Sequence, residues 1–503
     1  MNPSFGIDFG TTNTRVAYFD GRTVQVIGFD TSRGTLFQLP TAVAHEHGLP
    51  VAFGVDAENP VRGATYGGLK WSLQSPEFVE VEGGTRDPID IAADFLRHLR
   101  SLVAVRLPAV PLDRAAVTIP VHYPAAARGR LEEAFHRAGI AVTHFFYEPV
   151  AALYAGLAGE PASGVMGVFD WGGGSLDIAT VRVRDGIAMT LELDGWHRGG
   201  TDFDRQLAEQ AVNAFLADHA TGLTTRRILD TTTYGRRLIG RARNVKESLR
   251  DSPTEALVDA DFLRVAPLNH RVSQADLAEM IRPDVTGAVA RLDHAIEASG
   301  VTRNTLARLF LSGGTCQLRD VQSPLAQQYT GRLVDRLRLP DHLVGPLRGG
   351  LDDLGNATAI GAALLAANAT RPVFAATVGV RLAGGRGGDG FYPLFRAGDP
   401  VPFGKTRREG FFVSDASGGV ARLLLCEQHD AALEPVGRAI RLIPVPVERD
   451  ELWIDAEFTF ERHLTLRVKA IGRRHVNPDP TAAPQPATVQ EIPSLKLGFP
   501  LPA

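Results

Sequence analysis

Two distant segments of this chain share one pattern: an apolar run that ends in Asp, a Gly-rich polar turn and a second apolar run. The first segment spans residues 5–19 with its turn at 10–13, and the second spans residues 168–181 with its turn at 172–175. Each pattern predicts a strand, a tight turn and a returning strand. Because the pattern occurs twice, we expect two halves of similar fold.

The two turns have the residue types of a polyphosphate site. Asp8 and Asp170 end predicted buried strands, where a carboxylate needs a cation or hydrogen-bond donors, and hydrated Mg²⁺ would meet that need. Glycines permit tight turns whose N–H groups face phosphate oxygens. The predicted phosphate-binding residues are Gly10, Thr11, Thr12, Asn13, Gly172, Gly173, Gly174 and Ser175. Two such hairpins would clamp one nucleotide, whereas either hairpin alone equally suits an ordinary β-turn.

The rest of the chain divides by its periodicity. Apolar stripes at helical spacing, such as those after Pro88 and Pro124, alternate with strand-like runs up to about residue 368, which is typical of α/β layers. Short strands and Gly-rich turns then indicate an all-β module, and recurrent prolines from His475 onward exclude a regular helix. We predict an α/β domain at 1–368, a short linker at 369–373, a β-sandwich at 374–470 and a Pro-rich flexible tail at 471–503.

Composition excludes several classes of protein. The 503 residues carry 53 basic and 57 acidic side chains, a net charge of −4, so no global field attracts nucleic acid or an anionic membrane. Cys316 and Cys426 are the two cysteines, which argues against a disulfide framework or a Cys zinc site. No basic leader and no uncharged apolar run of about 18 residues is present in the sequence. We expect a cytoplasmic monomer.

The residues of both turns resemble those of the DnaK-type chaperones, the heat shock protein 70 family within the actin-like ATPase superfamily. Four further segments resemble that family's crossover, connecting helix, ribose loop and adenosine loop; they are residues 117–123, 147–153, 198–204 and 311–315. The resemblance weakens along residues 4–470. It implies an α/β actin-like ATPase domain, a duplicated ribonuclease H-like fold, followed by an all-β substrate-binding-like domain.

The resemblance also implies slow hydrolysis of ATP to ADP and phosphate with Mg²⁺ held through water by Asp8 and Asp170. Lys70 would position water and neutralise charge on the γ-phosphate, and Glu148 would orient the magnesium waters. Asp177 would align the attacking water, with Ser175 beside it. Each has a simpler interpretation: Lys70 as a solvated loop lysine, Glu148 as a helix-start residue, and Asp177 as a solvent-facing strand position.

The residues that would bind the nucleoside match the family pattern less closely than those of the two turns. The implied contacts are Gly199, Gly200, Arg243, Lys246, Arg250, Gly313, Gly314 and Gln317. Arg243 stands where the family has an acidic residue, and Gln317 stands where it has an arginine that packs on adenine. The basic run around Arg243 equally suits a solvated helix face.

For the whole chain, the resemblance implies an ATP-dependent chaperone whose nucleotide state controls peptide binding by the β domain. Its partners would be peptide or unfolded-protein clients, a J-domain co-chaperone and a nucleotide exchange factor. We expect no lid, because a helical lid needs on the order of 100 residues after the β module. Four apolar residues of the β module are candidates either for its peptide-binding groove or for its core: Val380, Leu382, Leu423 and Leu425. The alternatives are an ATP-binding regulatory or scaffold protein with negligible hydrolysis and a small-molecule kinase of the same fold.

Overall fold

The computed structural model describes residues 2–58, 60–158, 162–231, 233–345, 348–351, 353–368, 372–382, 390–413, 419–429, 434–447, 453–462, 464–473, 487–493 and 495–501. The chain divides into two compact units. The first comprises Met1–Val121, Ala126–Thr180 and Glu192–Ala369, and the second comprises His122–Ala125, Val181–Leu191 and Thr370–Ala503. Among the described residues, no helix combines the length and apolar composition that crossing a lipid bilayer requires.

Strands open the chain and recur up to residue 334. They are β1 (Ser4–Phe9), β2 (Asn13–Phe19), β3 (Val24–Val26), β4 (Phe29–Thr31), β5 (Gly34–Leu36), β6 (Leu39–Pro40), β7 (Val43–Glu46), β8 (Leu49–Phe53), β9 (Ala64–Tyr66), β10 (Val79–Val81), β11 (Gly84–Arg86), β12 (Arg114–Ile119), β13 (Ala141–Tyr147), β14 (Gly164–Trp171), β15 (Leu176–Arg184), β16 (Ile187–Trp196), β17 (Thr254–Phe262), β18 (Ala266–Ser273), β19 (Arg308–Ser312) and β20 (Leu333–Val334).

The helices lie between these strands, and short 3₁₀ turns occur at Gly314–Gln317, Asp341–Leu343 and Leu354–Asn356. They are α1 (Val55–Glu58), α2 (Leu69–Ser72), α3 (Pro88–Arg106), α4 (Ala125–Arg137), α5 (Glu148–Gly156), α6 (Gly200–Asp218), α7 (Thr225–Thr231), α8 (Thr233–Ser248), α9 (Gln274–Ala298), α10 (Arg319–Gln328) and α11 (Ala357–Ala367). The helices predicted after Pro88 and Pro124 are confirmed as α3 and α4. Asp87 caps α3 by accepting a hydrogen bond from the Ile89 N–H at 2.8 Å.

Both predicted hairpins form, and each continues into a sheet. In the first sheet the order is β13-β12-β1-β2-β3; β1 pairs antiparallel with β2 and parallel with β12. In the second sheet β14 is followed by β15 on one side and pairs parallel with β19 on the other, in the order β20-β19-β14-β15-β16. The two sheets repeat one arrangement of a hairpin and added parallel strands, which confirms the predicted pair of similar halves.

Helices α5 and α11 pack against each other with little side chain between them. A Cβ placed on Gly361 of α11 would lie 1.7 Å from the carbonyl oxygen of Ala151 in α5, and one on Gly6 of β1 would lie 2.2 Å from the Ala359 oxygen. Glycine at both positions therefore permits backbone contact that any larger residue would prevent. This close contact brings the start of α5 next to the end of β1.

The second unit contains two further four-stranded antiparallel sheets. Its strands after residue 372 are β21 (Val373–Phe374), β22 (Thr377–Leu382), β23 (Gly390–Phe395), β24 (Thr406–Phe412), β25 (Val420–Gln428), β26 (Arg438–Pro446), β27 (Trp453–Glu461), β28 (Thr465–Arg473), β29 (Thr488–Ile492) and β30 (Leu497–Pro500). The sheet orders are β23-β22-β25-β26 and β24-β27-β28-β29. Alternate residues of β27 are buried, as in a strand with one face on a core.

Of the four residues predicted to lie in a peptide groove or in the core, three belong to the core. Val380, Leu423 and Leu425 are at most 2% exposed, whereas Leu382 is 39% exposed. A side chain that is fully covered in the folded unit contributes to packing and not to an open groove. Leu382 alone among these four stays available for a ligand.

The prediction of a Pro-rich flexible tail from residue 471 is wrong in three places. β28 continues to Arg473, β29 pairs antiparallel with β28, and β30 pairs with β21 and with β16 through Ile187↔Pro500. Proline excludes helix, but it does not stop short proline-poor stretches from pairing with the strands of a sheet, and Pro500 sits at the end of its strand. Residues 474–486 of the predicted tail and residues 369–371 of the predicted linker lie outside the described residues. Val373, in the same linker, already belongs to β21.

Candidate functional site

A cavity of about 900 Å³ in the first unit brings the two hairpin turns together. A Cβ on Gly173 would lie 2.1 Å from Oγ1 of Thr12, and one on Gly174 would lie 2.6 Å from Oγ1 of Thr11. The threonines of one turn therefore contact the glycines of the other. All eight predicted phosphate-binding residues line this cavity: Gly10, Thr11, Thr12, Asn13, Gly172, Gly173, Gly174 and Ser175.

A buried ion pair lies beside the turns. Nζ of Lys70, in α2, is 2.5 Å from Oε1 of Glu148, the first residue of α5, and both residues line the cavity. Lys70 is 3% exposed, so its interpretation as a solvated loop lysine is wrong. Glu148 both starts a helix and pairs with Lys70. Burial raises the pKa of Glu148 well above its usual range, while the Lys70 charge acts in the opposite direction.

Asp8 and Asp170, the predicted magnesium residues, are the last residues but one of β1 and β14, and both line the same cavity. Burial, together with the negative charges of Asp177 and Asp8, raises the pKa of Asp170 to about 7. Two neighbouring carboxyl groups favour a divalent cation, and carboxylate oxygens suit Mg²⁺. The described residues contain no group of three or more side chains that could enclose a metal ion directly. The donor set therefore fits a Mg²⁺ ion that keeps much of its water shell.

Asp177 lies behind the second turn and does not line the cavity. One of its oxygens accepts the Val121 N–H at 2.7 Å, and the other accepts the Ser175 hydroxyl at 2.9 Å. At 2% exposed it is not a solvent-facing strand residue. These contacts make Asp177 a group that positions Ser175, and its alignment of an attacking water stays a prediction.

The predicted nucleoside contacts line the same cavity, with one exception. Gly200, Arg243, Lys246, Arg250, Gly313, Gly314 and Gln317 line it. Gly199 does not line the cavity. It directly precedes α6, and its N–H donates to the Asp202 carboxylate at 2.8 Å. Lys246 pairs with Asp204 at 2.6 Å and donates to the Gly200 carbonyl at 2.8 Å.

Arg243 and Gln317, which depart from the family pattern, each contact two other side chains. Arg243 lies 3.3 Å from a Glu58 oxygen and 3.5 Å from an Asp204 oxygen, so it is an ion-paired residue and not part of a solvated face. Gln317 accepts a hydrogen bond from Arg250 and donates to Asp353 at 3.0 Å. The polar ends of Arg243 and Gln317 are therefore already engaged by other residues of the protein.

Sequence reasoning missed several residues of the cavity, above all Arg15, Gln38, Asp204 and Asp353. Arg15 was discoverable from the hairpin itself, because a turn at 10–13 pairs Asp8 with Arg15 across the two strands. Asp204 lies in the segment that resembles the ribose loop. Asp353 gave no signal in the sequence.

Two comparisons with known proteins bear on the family of this chain. Chaperone protein HscA of Klebsiella pneumoniae (strain 342) is 27% identical to this chain over 369 residues, which are 67% of this chain and 56% of that protein. The match thus spans little more than half the length of this curated relative. The family model described as Hsp70 protein matches residues 72–345, more than half of the chain. With this match and the duplicated α/β fold followed by β-sheets, the chain belongs to the Hsp70 family.

Proposed function

We propose that this protein is an ATP-dependent chaperone that binds and slowly hydrolyses ATP to control peptide binding by its β-rich unit. The observation that carries the proposal is the contact of the two Asp-and-glycine turns inside one cavity, beside the buried Lys70–Glu148 pair. The similarity to a protein named as a chaperone supports the choice of function. Family membership favours this function over a small-molecule kinase.

The chain's own residues supply binding and charge stabilisation. Backbone N–H groups of the two turns would hold the β- and γ-phosphates, and the threonine hydroxyls would add donors. Asp8 and Asp170 would hold Mg²⁺ through its water shell, and the ion would supply positive charge against the phosphates. Lys70 would place its ammonium beside the γ-phosphate, in an orientation fixed by Glu148. Ser175, fixed by Asp177, would contact the terminal phosphate.

The turnover of ATP tests this assignment. We expect the full chain to release phosphate slowly and Lys70→Ala to lower the rate by about 10²–10³-fold, the effect of removing one preorganised charged donor. Lys405→Ala, at an exposed lysine of the second unit, is the matched control and should leave the rate unchanged. A Lys70→Ala rate equal to that of the wild type would exclude the proposed catalytic role.

One observation favours a second candidate, an ATP-binding switch with negligible hydrolysis. Both oxygens of Asp177 are engaged, one by Val121 and one by Ser175, and Asp177 itself does not line the cavity. If Asp177 cannot orient a water, nucleotide binding would persist without turnover. Tight magnesium-dependent binding of ATP together with no phosphate release would select this candidate.

We further propose that residues 1–368 form the nucleotide-binding domain and residues 374–470 the core of a peptide-binding domain. Titration of a labelled peptide into the full chain with ATP and with ADP tests the coupling, and we expect the two affinities to differ by about tenfold or more. Equal affinities would remove nucleotide control of binding. The dissociation rate of the same peptide tests the expectation of a lidless site, since a lid mainly slows release.

A further inference from the structure

Arg15 places a positive charge beside one of the two magnesium-site carboxylates. It lies on β2 directly opposite Asp8, and its Nη1 atom is 3.6 Å from Oδ2 of Asp8. Its Nη2 atom donates to Oε1 of Gln38 at 2.7 Å. The Arg15 side chain is 11% exposed and lines the nucleotide cavity. An always-charged group is therefore held inside the region where phosphates and a metal ion would meet.

The pairing of Arg15 with Asp8 is loose. A charge-assisted N–H···O bond is normally about 2.7–2.9 Å long, and 3.6 Å exceeds that range. The Arg15 Nε atom is buried, and among the described residues it has no hydrogen-bond partner. Buried guanidinium groups are usually satisfied by several acceptors. Arg15 therefore retains capacity to interact with a further anion.

Another cation of this region is already engaged. Lys70 forms its short ion pair with Glu148, whereas the guanidinium of Arg15 lies beside Asp8. A nucleotide adds further negative charge at the same place. Without a nearby cation, that charge would be repelled by the two aspartates.

We propose that Arg15 is a built-in cation of the nucleotide cavity, one that lets ADP bind without a divalent cation and that competes with Mg²⁺ for Asp8. This proposal rests on the proposed nucleotide binding. Arg15 supplies part of the positive charge that the polyphosphate requires. By sharing Asp8, it also weakens the hold of the site on Mg²⁺.

Binding of a fluorescent ADP to the full chain, in EDTA and in excess Mg²⁺, tests the proposal. We expect Arg15→Gln to weaken binding in EDTA by about 10- to 100-fold, the loss typical of a hydrogen bond to a charged group, and to change it far less in excess Mg²⁺. The Mg²⁺ concentration needed for half-maximal binding should be lower for Arg15→Gln than for the wild type under the same conditions. Arg15→Lys, which keeps the charge, should restore most of the binding in EDTA.

Two controls separate charge from structure. Arg303→Gln removes an arginine that pairs with Asp293 on the surface of the first unit and should leave both affinities unchanged. Gln38→Ala removes the anchor of Arg15 but keeps its charge. If Gln38→Ala matched Arg15→Gln in EDTA while Arg15→Lys restored nothing, Arg15 would be a structural tether and the proposal would be wrong.

The wild type alone also gives a decisive outcome, even if Arg15→Gln does not fold. Binding of ADP in EDTA within about tenfold of its affinity in Mg²⁺ supports the proposal, and a loss of more than about 100-fold overturns it. If the wild type binds ATP in Mg²⁺ but loses more than about 100-fold of its ADP affinity in EDTA, the proposed role of Arg15 is wrong and the proposed function stands. Absence of binding in both conditions would overturn the proposed function and the role of Arg15 together.

Discussion

The ammonium of Lys70 and the carboxylate of Glu148 form a 2.5 Å ion pair whose side chains are 4% and 13% exposed. Removal of one member of a buried pair leaves an uncompensated charge, which costs about 3–5 kcal/mol, whereas removal of both leaves none. We therefore expect Lys70→Met and Glu148→Gln each to lower the free energy of unfolding by that amount. The double variant should lose less than the sum of the two.

Urea unfolding of the wild type and the three variants measures this coupling. An additive double variant would mean that the pair contributes no interaction energy. The same double variant should still hydrolyse ATP much more slowly than the wild type. Removal of both charges restores stability, but it does not restore the lysine that catalysis would use.

The pKa of Asp170, raised to about 7, predicts a pH-dependent stability of the metal-free protein. A carboxyl group whose folded-state pKa lies above its unfolded value of about 3.9 binds a proton more tightly in the folded protein. Its contribution is fully present below that unfolded value and is lost as the pH rises through about 7. We expect up to about 1.4 kcal/mol of stability to be lost per pH unit within that window.

Unfolding in EDTA between about pH 5 and pH 8 tests this behaviour, with Asp170→Asn as the comparison because its neutral amide cannot titrate. The stability difference between the wild type and Asp170→Asn should shift in favour of the variant as the pH rises. Parallel pH profiles of the two proteins would contradict the raised pKa.

Contact between the two turns predicts that Gly173 and Gly174 tolerate no side chain. A Cβ on Gly174 would lie 2.5 Å from the indole nitrogen of Trp71, and one on Gly173 would lie 2.1 Å from Thr12. Overpacking of this kind costs about 1–3 kcal/mol and should push the turns apart. We expect Gly173→Ala and Gly174→Ala each to weaken binding of Mg-ADP by about fivefold or more, measured by calorimetry.

Gly240→Ala is the matched control, since a Cβ at that position of α8 meets nothing within 4 Å. It should leave the affinity for Mg-ADP as it is. Wild-type affinity in both Gly173→Ala and Gly174→Ala would show that the turns separate freely.

Phe499 tests whether β30 is a stable part of the second unit. Its side chain is fully buried in β30, so Phe499→Ala should lower the free energy of unfolding of the second unit by about 3–5 kcal/mol. Val489→Ala, on β29 and 43% exposed, should cost far less. A negligible effect of Phe499→Ala would restore the interpretation of this segment as a flexible tail.

Local patterns predicted those parts of the fold that depend on neighbouring residues. The hairpins around Asp8 and Asp170 have their turn chemistry in a few consecutive residues, and α3 has its cap at Asp87 directly before its apolar stripe. The role of Lys70 was different, because nothing in its local sequence distinguishes it from a solvated lysine. Only the resemblance to a family pointed to it, and the role itself stays a prediction.

Features that depend on partners far along the chain were missed or mistaken. A proline-rich composition concealed β30, because its partners lie more than 100 residues away in β21 and more than 300 away in β16. Gly199 was assigned to the site by its place in a motif; it does not line the cavity, and its N–H donates to Asp202 in the first turn of α6. Arg15 was overlooked because arginine on a strand usually faces solvent, although the pairing with Asp8 was available from the hairpin.

β30 inserts between β16 and β21 and forms hydrogen-bonded pairs with both. Shortening the polypeptide to end before residue 495 would uncover rows of N–H and C=O groups on both neighbours. Exposed rows of this kind recruit strands from other molecules, so shortened versions should oligomerise or precipitate. β30 therefore protects both neighbouring strands against pairing with other molecules.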